Sequence, residues 1–141
     1  MEFCRKSKRV TTVITGILMA VSVSSCGFDG PAHKAPVPNA TAVIDLGFMS
    51  YDPVDVTIHP GDTVEWRNTS VITHTVTDDP LRAEEQRDIS LPEGAQAFDS
   101  GDIPAGQIYT HIFTIPGTYH YFCTRHEDHG MVGTVIVKPA S

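Results

Sequence analysis

From residue 54 to residue 67 apolar and polar side chains alternate. Val54, Val56 and Ile58 are interleaved with Asp55 and Thr57; after His59-Pro60-Gly61-Asp62 the alternation resumes with Val64 and Trp66 among Thr63, Glu65 and Arg67. A period of two belongs to a strand with one buried face, and Pro-Gly is turn chemistry, so this stretch is expected to be a hairpin. A similar unit recurs where 108–115 leads through Pro116-Gly117 into 118–123, and 132–138 reads as a closing strand. With 42–48 and the segment around 74–77, the reading reaches about seven strands in about 100 residues, the size of an all-β Greek-key sandwich of seven to eight strands. The 11 Gly and 10 Pro fall between these runs, which argues against a helical bundle, and 141 residues hold one domain.

The amino terminus reads as an address. Arg5, Lys6, Lys8 and Arg9 precede an uncharged stretch, 10–23, that is shorter than the roughly 20 residues of a membrane-spanning helix. Residues 1–25 are therefore expected to be a signal peptide. The run Val23-Ser24-Ser25-Cys26-Gly27 resembles a bacterial lipobox, which would make Cys26 the lipidated first residue of the mature chain. Residues 26–40, rich in Pro and Ala, read as a tether reaching about 40 Å, and 41–141 as the folded domain. The expected location is the extracytoplasmic face of a membrane, periplasmic or cell-surface.

Charge excludes one class of partner. The chain carries 10 basic against 17 acidic side chains, and the expected mature form 6 against 16, a net −10, with no basic stripe for a phosphate backbone. An acidic surface of this kind is expected to meet a basic docking patch on its partner, and the chain is expected to be a monomer. Residues 78–102, with eight acidic and two basic side chains, read as a solvated surface excursion in which 81–87 forms a helical turn or two.

Cys4 lies in the discarded region and Cys26 carries the anchor, so Cys123 stands alone in an oxidising compartment and needs a reason. Its neighbourhood supplies one. Cys123, His126, His129 and Met131 fall within nine residues between two expected strands, and thiolate, imidazole and thioether together suit copper. A further imidazole from another strand would tie this loop to the sheet, and His74 is the best placed. His129 in place of Met131 would give one thiolate and three imidazoles, a set that also accepts zinc.

These residues resemble the cupredoxins, specifically the plastocyanin, amicyanin and halocyanin group, over roughly 41–138. The likeness lies in Gly61-Asp62-Thr63-Val64-Glu65-Trp66-Arg67-Asn68, in His74 beyond it, and in Pro116-Gly117-Thr118-Tyr119 leading to Cys-x2-His-x4-Met. It implies an eight-stranded sandwich, one copper ion, His74, Cys123 and His126 as strong ligands, Met131 as the weak axial one, and one-electron transfer. Arg125 and Thr75 stand where the group often has Pro and Asn, so a cation sits beside His126, which the resemblance makes the ligand nearest solvent. Thr75 and Thr124 are placed to bond across the site.

The other histidines have plainer readings: His33 in the tether, His59 in a turn, His111 and His120 turned outward or against neighbouring chains. Trp66, Tyr119 and Tyr121 read as core, and Phe122 as part of a partner-facing patch. Two functions fit, an electron carrier whose expected partners are redox proteins with a basic docking patch, or a copper-delivery protein without redox turnover. An enzyme does not, since no His-x-His pair exists for a multicopper centre and one domain leaves no substrate cleft.

Overall fold

The computed structural model describes residues 38–139; the expected signal peptide, Cys26 and nearly all of the tether lie outside the described residues. The strands are β1 (Ala42–Leu46), β2 (Tyr51–Asp52), β3 (Asp55–Ile58), β4 (Thr63–Asn68), β5 (Ile108–Ile112), β6 (Gly117–Phe122) and β7 (Val132–Val137). They form two sheets, ordered β2-β1-β4-β5 and β3-β7-β6. β1 runs parallel to β4 and β3 parallel to β7, while the other pairs are antiparallel. This is the expected all-β sandwich.

Neither expected hairpin forms. β3 pairs with β7 and β4 with β1 and β5, so the 59–62 turn carries the chain from one sheet to the other. Its backbone bonds go to the segment beyond β5, Gly61 N–H to Phe113 O at 2.7 Å and Phe113 N–H to Asp62 O at 3.1 Å. Pro116 and Gly117 likewise separate β5 in one sheet from β6 in the other. Alternation reveals which face of a strand is buried; it does not reveal the neighbouring strand, and sheets about 10 Å apart can be joined by a short arch.

The inner faces meet over Ile44, Leu46, Val64 and Trp66 from one sheet and Ile58, Tyr119, Tyr121, Val135 and Val137 from the other. Trp66 and Tyr121 cross edge to face, centroids 5.5 Å apart, and Tyr51 meets Tyr121 at 4.8 Å. Burying such a side chain contributes about 1.5–3 kcal/mol, which makes this contact the mechanical base of the molecule. Glu65, expected on the open face, is fully buried and its carboxylate bonds the Arg67 Nε–H. Of the two readings of His111 the packed one holds: the side chain is half-buried, its ring 4.7 Å from Phe98 and 4.8 Å from Phe113. Phe122 is buried completely, so it forms no partner-facing patch.

The acidic excursion is only partly a solvated loop. Its helical content is one 3-10 turn, Gln86–Asp88, and Leu81 is exposed. Phe98, however, plugs the core, and Asp78 is buried with its carboxylate accepting the Phe98 N–H at 2.7 Å. Burial pushes the Asp78 pKa up to about 6. An unfolded Asp ionises near pH of about 3.9, so between about 4 and 6 the unfolded chain releases a proton that the folded chain keeps. This carboxyl therefore lowers stability as pH rises through that window. Asp78→Asn is expected to remove that part of the slope, measured as denaturation midpoints across the interval; an unchanged slope would contradict the assignment.

Candidate metal centre

β4 ends at Asn68, and its buried amide shapes the loop that follows. Asn68 Nδ2 donates to Ile72 O at 2.6 Å and Ile103 O at 2.8 Å, and Oδ1 accepts the Ser70 N–H and hydroxyl at 3.0 and 2.7 Å. The loop delivers His74 to a backbone bridge with Ile103, at 3.2 and 2.8 Å, where the ring is wholly buried. Ser70 Oγ lies 2.9 Å from His74 Nε2, which leaves Nδ1 turned to the centre. Three residues on, Thr77 and Phe122 exchange backbone bonds at 3.1 and 2.9 Å, so this segment is stitched to the end of β6 just before Cys123.

The second segment is the turn between β6 and β7. Cys123 N–H donates to Met131 O at 3.0 Å, His126 N–H to Cys123 O at 3.0 Å, and Met131 N–H to His126 O at 3.1 Å. The turn folds back through a 3-10 element, Glu127–His129, closed by Gly130 at φ 75, a left-handed conformation natural to glycine. Its N–H bonds Glu127 O at 2.8 Å. Met131 is thereby returned beside Cys123 with its side chain buried.

The donor atoms converge. Cys123 Sγ lies 3.8 Å from His74 Nδ1 and 3.4 Å from His126 Nδ1, and all three atoms fall within 4.8 Å of one another. Donors about 2.0–2.3 Å from one ion at trigonal angles stand about 3.7 Å apart, so both sulfur–nitrogen separations are those of donors sharing a single ion, and a small inward shift of the two rings completes the set. Burial lowers the pKa of both histidines, helped by each one's imidazole neighbour, His126 for His74 and His129 for His126; neutral rings are what a metal needs. His129 stands apart from the cluster, its side chain 53% exposed and its Nδ1 2.6 Å from Asp128 Oδ1. His59 and His120 also lie outside it, and His33 is outside the described residues.

The bonds around the sulfur differ from the expected ones in one respect. Thr75 and Thr124 do join across the site, hydroxyl to hydroxyl at 3.0 Å and Thr124 N–H to Thr75 Oγ1 at 2.8 Å. The closest donor to the sulfur, though, is the Thr75 backbone N–H at 3.3 Å, with the Thr75 hydroxyl at 3.8 Å. Three further residues escaped the sequence reading. Ser70 orients His74 from four positions away, and Tyr51 donates to Thr75 O at 2.7 Å. Glu127 accepts the Glu84 and Glu85 N–H groups at 3.0 and 2.9 Å, clamping the acidic segment to the turn. The Tyr and the Glu carry no pattern that marks them, because their partners are backbone atoms distant in sequence, and a Ser four residues before a His is too common a pairing to stand out.

The family model for "Copper binding proteins, plastocyanin/azurin family" matches residues 38–138. The chain is 31% identical to the chloroplastic plastocyanin of Tetradesmus obliquus, covering 95% of this chain and 89% of that protein. It is also 31% identical to the plastocyanin of Nostoc punctiforme, covering 93% and 94%. Among solved structures, amicyanin from Paracoccus versutus superposes with a TM-score of 0.56 at 33% identity, covering 74% of this chain and 87% of that one. The sandwich, the converging sulfur and imidazoles and these likenesses agree: the chain belongs to the plastocyanin/azurin family of copper-binding proteins.

Proposed function

We propose that His74, Cys123, His126 and Met131 hold one copper ion and that the domain carries single electrons between protein partners on the extracytoplasmic side of a membrane, anchored through lipid on Cys26. One observation carries this reading above the others: a buried thiol and two imidazole Nδ1 atoms, supplied by two separate segments, converge within 4.8 Å of one another. A bound copper ion supplies a Cu(II)/Cu(I) couple, and the mixed sulfur and nitrogen set suits both states.

The chain's own residues make that couple useful. The Asn68, Ile103 and Phe122 bonds hold the two segments in place, so the donors need not move when the charge at the site changes. The Thr75 N–H, aimed at the sulfur, stabilises electron density there, and such bonds tune reduction potential. Burial of His74, Cys123 and Met131 keeps water out, whereas His126 is only partly buried and offers the edge through which an electron leaves. That enclosure counts against copper delivery, because a receiving protein could reach only the His126 side. The acidic composition steers a partner with a basic patch, an attraction that salt screens.

Three outcomes are expected. Cys123→Ser abolishes the intense visible charge-transfer band of the copper-loaded protein, and a variant that stays blue would refute ligation by Cys123. Met131→Leu retains copper and raises the potential in voltammetry; an unchanged potential would remove Met131 from the site. Thr75→Val leaves the Thr124 N–H without its acceptor and costs about 1–3 kcal/mol in metal-free denaturation, whereas no loss would show that the cross-bond does not hold the segments.

A further inference from the structure

We infer that Asp102 sets the charge selectivity of the electron-exit edge by cancelling Arg125. The inference rests on the electron-carrier reading above. Arg125 immediately precedes His126, and its guanidinium forks onto one carboxylate: Nε and Nη2 donate to Asp102 Oδ1 at 3.1 and 2.7 Å, and Nη2 to Oδ2 at 2.6 Å. The two side chains are 48% and 56% exposed. An ion pair this open contributes little to stability, so its effect lies in the field it presents to an approaching molecule.

The carboxylate is delivered by the stretch of chain bridged to the other donor segment. Asp102 precedes Ile103, whose backbone is bridged to His74. The fork thus spans from the His74 side of the site to the His126 side and turns a lone cation into a local dipole. The same turn carries further acidic groups: Asp128 acts on the His126 ring, as Arg125 does with opposite sign, and Glu127 holds the Glu84 and Glu85 N–H groups. With the guanidinium cancelled the acidic groups govern approach and favour cationic partners; with Asp102 neutralised, a positive charge faces the partner beside His126.

The test uses the copper-loaded full chain in detergent at low ionic strength. Stopped flow follows its reduced form losing one electron to a tripositive cobalt(III) complex or to trinegative hexacyanoferrate(III). Asp102→Asn is expected to slow the cationic reagent about threefold and speed the anionic one by about the same factor, and Arg125→Gln to do the reverse. Glu93→Gln removes the same single charge beside Pro92, which packs on Gly117 at the opposite end of β6, and should leave the ratio nearly unchanged. Redox-inert chromium(III) complexes of the same charges report binding separately, through paramagnetic broadening of the Arg125 and His126 amides, and should follow the same order. If Asp102→Asn and Glu93→Gln shift the rates and the broadening equally, or Asp102→Asn shifts neither, the inference is overturned. If the broadening keeps the order while no electron passes to either reagent, the electron-carrier reading falls and the charge assignment stands.

Discussion

The backbone bridge between Thr77 and Phe122 is the constraint on which the site depends. It lays the segment from 74 to 77, which belongs to neither sheet, against the last residue of β6. Once Thr77 is fixed there, Thr75 falls beside the Cys123 sulfur and His74 just beyond it. The opposite edge of the segment is held at Ile103, so neither its position nor its tilt is free. Met131 is tied to Cys123 by the backbone on the other side. The donors are therefore placed by peptide bonds and peptide hydrogen bonds, which are obligatory and stiff, and less by the flexible side chains themselves.

This arrangement is costly and the sandwich bears the cost. Two imidazoles, a thiol and two threonine hydroxyls crowd a nearly dry corner, and one carboxylate, Asp78, is buried four residues from His74 with its Oδ2 lacking a hydrogen-bond partner. Polar groups there lose hydration that their internal bonds only partly restore. Offsetting them is the aromatic block of Trp66, Tyr51, Tyr121, Phe98 and Phe113, packed directly beneath. Because Tyr51 also bonds the Thr75 carbonyl, that block and the site share a hinge point.

How far the sequence reveals this differs by element. Strand positions and core aromatics are legible, since alternation and Gly-Pro punctuation report local burial directly. The donors Cys123, His126 and His74 are legible too, because their chemistry is unusual and two of them share one short turn. Strand pairing is not: the two arches look like hairpins, and only the assembled sandwich shows that β3 belongs with β7 and β4 with β1. Glu65 and Phe122 depart from the reading for a related reason, since the side that a central strand or a strand end presents depends on what the assembled fold lays over it. The supporting bonds from Asn68 and Glu127 are invisible in the sequence because they end on backbone atoms whose location is set by the fold, and the bond from Ser70 depends on a loop conformation that Asn68 imposes.

X-ray absorption at the copper edge, recorded on the oxidised and the reduced copper-loaded protein, tests the central claim most directly. A framework that fixes its donors in advance should give one sulfur and two imidazole nitrogens as the near shell in both states, with bond lengths almost unaltered by reduction. A shell without sulfur, or one that gains or loses a ligand when the electron arrives, would contradict it.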